Sequence, residues 1–149
     1  MLLGYHLGEW FAAARVSAFT LAPGFAPERM VAGADWALLT LERPIAAPDR
    51  ILPLLREPPP PRTPVMLGGY QQDRPEMLLA DAGCRLLGVQ RGADGLATLA
   101  HDCAGTRGSS GAPLLAQRPD GQGWAVIGVQ SGVARDIALG HAAPAGALP

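Results

Sequence analysis

The sequence has little charge, few aromatic residues and only two cysteines. Charged side chains make up 17% of the 149 residues and aromatic ones 5%, and the net charge is −1 with a pI near 6.3. Without an excess of either sign, no nucleic-acid or anionic-membrane partner is expected. No apolar run approaches the ~20 residues that a membrane-spanning helix needs. The residues after Met1 do not have the basic-then-apolar pattern of a signal peptide either.

Spacings typical of metal sites are also missing. The two cysteines and three histidines form no Cys-x-x-Cys or His-x-x-x-His pattern, so we predict neither a metal nor a cofactor. Glycine and proline, by contrast, are abundant at 19 and 15 residues. This composition favours an all-β domain of short strands joined by tight turns. The pattern predicts strands at Leu2–Tyr5, Arg15–Leu21, Ala37–Leu41, Val65–Gly69, Met77–Ala80, Cys84–Val89, Leu96–Ala100, Ala112–Ala116, Trp124–Ser131 and Ile137–Leu139.

One turn combines residue types that serve acyl-transfer chemistry. Gly108-Ser109-Ser110-Gly111 leads into an apolar segment. Such a turn can present a hydroxyl with backbone N–H groups beside it, as a nucleophile and an oxyanion hole require. The same letters are also ordinary loop composition. A second element upstream supports the chemical interpretation, because Asp35 directly precedes the strand-like run 36–41.

These segments resemble the trypsin-like serine endopeptidases of the chymotrypsin fold, particularly the V8-like and glutamyl endopeptidases of bacteria. The family's Gly-Asp-Ser-Gly-Gly-Pro loop reads here as residues 108–113, and its Asp-x-Ala-Leu-x-x-Leu segment reads as residues 35–41. Its Gly-Ile-x-Ser strand reads as residues 128–131. The three motifs occur in the family's order, and the resemblance covers roughly residues 1 to 142.

The resemblance implies an all-β fold of two antiparallel, six-stranded-type barrels, of which the first is incomplete. Residues 1–52 would be the remnant of barrel one, and residues 65–149 would form barrel two. The proline-rich segment 53–64 would be the strap between them, since consecutive prolines favour an extended conformation. We expect the tail Ala142–Pro149 to be frayed.

The resemblance also assigns roles in peptide-bond hydrolysis. Ser110 would be the nucleophile and Asp35 the acid that orients the base, while the N–H groups of Gly108 and Ser110 would form the oxyanion hole. Ser131 would lie near the acid and could donate a hydrogen bond to it.

The primary substrate pocket would be lined by Ala104, Gln130 and Ser131. Ala104 stands where trypsin-type enzymes carry an aspartate, and Gln130 stands where glutamyl endopeptidases carry a histidine. These two residues favour a neutral pocket.

The catalytic base has no counterpart in the sequence. The family's Ala-Ala-His-Cys segment is absent, and His6, His101 and His141 all have flanks unlike it. We therefore expect the chain to begin inside the first barrel, with the histidine upstream of Met1, and to be nearly inactive as it stands. A catalytically dead pseudoprotease that serves in binding is the alternative.

The same turn can also be interpreted as the nucleophile elbow of a different enzyme class, the α/β-hydrolases. Ser110, Asp136 and His141 occur in the order that this fold requires. An elbow is followed by a helix, whereas Pro113 indicates a strand, and the rest of the chain is too short for that fold's sheet.

The two cysteines, Cys84 and Cys103, lie 19 positions apart. In a protease-like chain they suggest one disulfide and an oxidising compartment, with a pair of buried free thiols as the alternative. A secreted or periplasmic monomer that acts on polypeptides is the corresponding expectation.

Overall fold

A closed six-stranded antiparallel barrel forms most of the molecule. The computed structural model describes residues 1–29, 31–134, 137 and 139–149. Its barrel strands are β5 (Pro64–Gln71), β6 (Arg74–Arg91), β7 (Ala97–His101), β8 (Pro113–Gln117), β9 (Trp124–Ala134) and β10 (Leu139–Pro144). Neighbouring strands follow the order β10-β7-β6-β5-β8-β9, and β9 pairs back onto β10 to close the barrel. The all-β, chymotrypsin-like class that the sequence predicted is confirmed.

The N-terminal third forms two small separate sheets. Strand β1 (Leu2–Leu3) pairs with β2 (Ala12–Ala13), and β3 (Val16–Leu21) pairs with β4 (Ala37–Leu41). Three single turns of 3-10 helix, at Ala32–Ala34, Pro48–Arg50 and Ala145–Ala147, complete the secondary structure of the described residues. None of these helical turns is long enough to cross a membrane. The β3–β4 hairpin leaves apolar side chains such as Phe19, 65% exposed, in solvent.

Alternating side chains of the barrel strands fill its interior, because successive residues of a strand point to opposite faces. The largest buried apolar members of this core are Val65, Leu67, Leu86, Leu99, Leu114 and Ile127. The same alternation continues in β7 from Leu99 to His101, and both side chains are fully buried.

Two segments differ from the sequence-based expectation. The predicted strands Met77–Ala80 and Cys84–Val89 are one continuous strand, β6, which pairs with β5 through its first part and with β7 through its second. Register shifts in both pairings bend it around the barrel, and such bulges let one strand serve two neighbours. The predicted strand Ile137–Leu139 lies partly outside the described residues; β10 begins at Leu139.

The tail that we expected to be frayed is ordered and closes the barrel. Ala142, Ala143 and Ala145 are fully buried, and β10 runs to Pro144 between β7 and β9. Small side chains are required there, because a Cβ built on Gly128 would lie 3.3 Å from the Cβ of Ala142. The expectation was wrong because a composition rich in small residues does not show whether a segment is exposed to solvent. Here the segment is buried because its strand is needed to complete the sheet.

Cys84 and Cys103 form a disulfide inside the barrel core. It joins β6 to the segment after β7 and closes a loop with a sequence separation of 19. We expect the Cys84→Ala/Cys103→Ala variant to lose about 3 kcal/mol of unfolding free energy, since the crosslink restricts the unfolded chain. Urea denaturation of both proteins measures this loss, and equal midpoints would contradict it.

Candidate active site

The turn that carries Ser110 is packed so tightly that it requires glycine. Gly108 has φ +94°, and a Cβ on it would lie 3.1 Å from the backbone nitrogen of Gln72 and 3.2 Å from the carbonyl oxygen of Tyr70. The neighbouring Arg107 accepts a hydrogen bond from the Gln72 N–H at 2.7 Å. The turn therefore lies against the β5–β6 connection, which fixes where Ser110 emerges.

Strand β9 holds the other side of this turn. The Gly111 N–H donates to the carbonyl of Gln130, and the Gln130 N–H donates to the carbonyl of Ala112, both at 2.8 Å. Ser110 is exposed, and its hydroxyl donates to the carbonyl oxygen of Ser131 at 3.4 Å. The nucleophile candidate thus stands at the edge of β9.

Asp35 approaches the same strand from the N-terminal part of the chain. It follows the 3-10 turn Ala32–Ala34, which packs against β7 and β10. Gly33 permits that close approach, because a Cβ there would lie 2.5 Å from the carbonyl oxygen of Ala97. The hydroxyl of Ser131 donates to Asp35 Oδ2 at 2.7 Å. Ser131 therefore contacts both Asp35, through its side chain, and Ser110, through its carbonyl.

A cavity of about 780 Å³, here called the acid-side cavity, has both Asp35 and Ser110 in its wall. The rest of its lining is mainly apolar and includes Leu21, Phe25, Trp36, Leu39 and Val129. No described histidine lines it. His6, which is exposed, instead pairs with Glu9 in a turn, and that turn is attached to β6 by the bond from the Leu7 N–H to the Glu76 carbonyl.

The backbone N–H groups assigned to the oxyanion hole are those of Gly108 and Ser110. Within the described part of the chain, neither donates a hydrogen bond to a protein acceptor. An oxyanion hole requires N–H groups without such an acceptor, so the assignment stays a prediction that this observation is consistent with.

The residues assigned to the primary pocket have unequal environments. Ala104 is exposed, and its N–H donates to Asp81 Oδ2 at 2.7 Å. Gln130 is 2% exposed, and its side-chain nitrogen donates to the carbonyl of Gly132 at 2.9 Å. A Cβ on Gly105 would lie 3.8 Å from that nitrogen, so the Gln130 amide lies close to the segment that starts at Ala104.

His101 is a member of this region that the sequence interpretation did not assign to it. Its ring is fully buried, with Nε2 2.7 Å from Gln130 Oε1 and Nδ1 accepting from the Cys103 N–H at 3.3 Å. Because Nδ1 accepts, Nε2 carries the proton and donates to the glutamine, which fixes the amide orientation. The strand alternation from Leu99 to His101 was the signal that could have placed this ring inside.

Burial lowers the pKa of His101, against the opposing effect of its hydrogen bond to Gln130; His141 lowers it further, while Asp102 and Asp81 act to raise it. The unfolded chain therefore takes up a proton on this ring near pH 6.5 that the folded chain does not. Stability must rise with pH between the lowered folded pKa and about 6.5, and it must fall on acidification through that window.

We expect His101→Gln to remove this part of the pH dependence while keeping a donor for Gln130. Urea unfolding free energies from pH 7.5 down to 5 should fall more steeply in the wild-type chain, by up to about 1.4 kcal/mol per pH unit. Parallel profiles for the two proteins would show that His101 is not the group responsible.

The fold has counterparts among solved structures. The active form of the protease Rv3671c from M. tuberculosis aligns with a TM-score of 0.64 at 22% identity, over 97% of this chain and 58% of that one. The inactive form of a serine-to-alanine mutant of Rv3671c from M. tuberculosis H37Rv aligns with a TM-score of 0.58 at 22% identity, over 75% of this chain and 55% of that one. The chain thus spans a little over half the length of these structures. No family model matches the sequence, and no curated protein does. At this identity the likeness shows the fold alone: the chain has the chymotrypsin-like β-barrel fold found in serine proteases.

Proposed function

We propose that this chain carries the nucleophile, acid and oxyanion hole of a trypsin-like serine endopeptidase of the V8-like type. One observation carries the proposal. Ser131 donates its hydroxyl to Asp35 and accepts the Ser110 hydroxyl at its carbonyl, so one residue brings together an acid and a nucleophile candidate that lie 75 positions apart in the chain, 110 minus 35.

The chemistry follows from these positions. Ser110 Oγ attacks the scissile carbonyl while a base takes its proton, and the N–H groups of Gly108 and Ser110 stabilise the resulting oxyanion. The C–N bond then breaks as the base returns its proton to the leaving amine, and water hydrolyses the acyl-enzyme by the same steps. Asp35 stabilises the protonated base and holds it in its working orientation.

The base in this proposal is an imidazole from outside residues 1–149, and it occupies the acid-side cavity. That cavity has the acid and the nucleophile in one wall and apolar side chains around them. A neutral imidazole suits such a lining, because it accepts the Ser110 proton on one nitrogen and donates to Asp35 from the other.

Chemical rescue tests the assignment. Free imidazole, added to the chain at millimolar concentrations, should raise the rate at which a fluorophosphonate probe labels Ser110, and the rate should saturate as the cavity fills. The label is located by peptide mass spectrometry. Labelling that does not depend on imidazole in the folded chain would reject this role for the cavity.

A binding domain is the second candidate, and it is favoured because the described residues that line the acid-side cavity include no histidine. For that candidate the probe should leave Ser110 unmodified at every imidazole concentration.

Polypeptides are the substrates in the main proposal, and the pocket near Ala104 and Gln130 takes a neutral side chain. A monomer in a secreted or periplasmic location is proposed with it, since the Cys84–Cys103 disulfide suits an oxidising compartment.

A further inference from the structure

One cavity outside the Ser110 site combines positive charge with apolar surface. Two other cavities have Ser110 in their walls, the acid-side cavity and one of about 510 Å³ beside β5 and β6. The cavity outside the site measures about 660 Å³ and shares no described lining residue with either of them. It is formed by the 3-10 turns Ala32–Ala34 and Ala145–Ala147, the proline-rich segment and the connection from β6 to β7. We call it the arginine pocket, and its volume is typical of a small-molecule site.

Two arginines supply all the charge in the described lining of the arginine pocket. Arg56 comes from the proline-rich segment, and Arg91 is the last residue of β6. The other eight described lining residues are all glycine, alanine, proline, valine or leucine. A ligand in this pocket would therefore meet positive charge at two points and apolar surface elsewhere.

Main-chain oxygens hold both guanidinium groups in place. Arg56 donates to the main-chain oxygens of Leu148 and Pro149, at 2.7 and 3.0 Å. Arg91 donates to the carbonyl oxygen of Gly95 at 3.0 Å. Because a guanidinium has five N–H donors in a planar fork, each arginine keeps donors for a further acceptor.

The charge of Arg91 has no carboxylate partner in the part of the chain that the structure describes. The ion pair Arg118–Asp120 is the single one found there. Asp94 and Glu57, the acids nearest to the two arginines along the chain, do not line the arginine pocket; Asp94 lines a separate, smaller cavity and Glu57 is exposed. A planar guanidinium without a counter-charge matches a carboxylate group, to which it can donate two parallel hydrogen bonds.

We propose that the arginine pocket binds an alkyl carboxylate, that is, a single acid group on an apolar chain, as in a medium-chain fatty acid. The carboxylate accepts hydrogen bonds from Arg91 and is attracted by the charge of Arg56, while the chain lies against Val89 and Leu96. A peptide fits this pocket less well, because its main-chain amides would lack side-chain partners in a wall that is otherwise apolar. The inference does not depend on the proposed endopeptidase function, since neither Ser110 nor Asp35 lines the pocket.

Titration of the 15N-labelled full chain with simple amphiphiles tests the pocket. Octanoate should shift the amide signals of Gly33, Val89, Ala97 and Gly146. It should bind at least about tenfold more tightly than butanoate, because its longer chain removes more CH2 groups from water. Octylammonium has the same chain with the opposite charge and should leave these signals unmoved. Equal binding of octanoate and octylammonium would overturn the inference.

Replacement of Arg91 locates the anion. Arg91→Gln removes the charged donors and should weaken octanoate binding about tenfold. Arg85→Gln is the matched control, since Arg85 is also exposed on β6 and also donates to a main-chain oxygen, that of Arg62, but does not line the pocket. The control should bind octanoate as the wild-type chain does. The same octanoate affinity in both variants would contradict the proposal.

A second pair of variants places a charge in the apolar wall. Val89 is 49% exposed, so a polar side chain is tolerated there. Val89→Asp should weaken octanoate binding at least about fivefold more than Val89→Asn, which has nearly the same shape without the charge. Equal effects of the two would speak against a bound anion. Tighter binding of acetyl-Ala-Ala-Leu, with its free terminal carboxylate, than of octanoate would overturn the choice of an alkyl carboxylate and assign the pocket to peptide termini.

Discussion

Replacement of Ser110 by alanine is expected to abolish imidazole-dependent fluorophosphonate labelling of the whole chain. The chain has four serines, Ser17, Ser109, Ser110 and Ser131, and only Ser110 combines an exposed hydroxyl with free backbone N–H groups and the acid-side cavity. Ser109 is the matched control, since its side chain is 3% exposed and donates to the Thr106 carbonyl at 2.7 Å. Ser109→Ala should still be labelled at Ser110.

Asp35→Asn tests the acid in the same assay. The asparagine oxygen can still accept from Ser131, but it cannot stabilise an imidazolium by charge, an effect of ~1–4 kcal/mol for a pair about 4 Å apart. We expect imidazole-dependent labelling to slow by at least about fivefold. A rate equal to that of the wild-type chain would show that Asp35 does not act on the base. Label found on Ser17 or Ser131 instead of Ser110 would contradict the choice of nucleophile.

Substitution of Gly140 by alanine is expected to have the largest effect on stability. Gly140 in β10 lies opposite His101 in β7, and an added Cβ would lie 2.5 Å from the ring Nε2. The ring cannot move aside without losing its bonds to Gln130 and Cys103. Overpacking against a fixed, buried group costs ~3 kcal/mol or more of unfolding free energy.

Gly132→Ala is the control for this variant. Gly132 lies in β9, the neighbouring strand, and a Cβ there would meet no atom within 4 Å. Its unfolding free energy by urea should stay within about 0.5 kcal/mol of the wild type.

The double variant Gly140→Ala/His101→Ala isolates the contact, because removal of the ring should recover most of the cost of the new methyl group. A Gly140→Ala cost that is unchanged without the ring would show that the contact with His101 is not its source.

Local patterns were sufficient for the fold class and for the choice of candidate residues. Short apolar runs between glycines and prolines predicted an all-β chain, and that prediction is confirmed. The assignments of Ser110, Asp35, Gly108, Ala104, Gln130 and Ser131 came from motifs and remain predictions that the labelling and variant experiments address. Asp136, the acid of the α/β-hydrolase alternative, lies outside the described residues. The α/β-hydrolase fold requires a helix after the nucleophile, whereas the element that follows Ser110 is the strand β8, which begins at Pro113.

The expectations that failed depended on long-range pairing. Nothing local distinguishes a frayed alanine-rich tail from the strand β10, because its burial depends on β7 and β9 being on either side of it. The prediction of a break between residues 80 and 84 was wrong for a similar reason. Strand β6 continues through this segment because bulges let it pair with two different neighbours, β5 and β7.

The sequence by itself determined the composition of a short-stranded domain, the cysteine pair and the types of residue available for acyl transfer. Only the tertiary structure decided that the carbonyl of Ser131 also contacts Ser110, that His101 and Gln130 form a buried pair, and that two cavities meet at Ser110. The physical reason is that each of these features joins strands far apart in the chain, and the geometry of a closed barrel, rather than any local preference, sets which side chains meet across it.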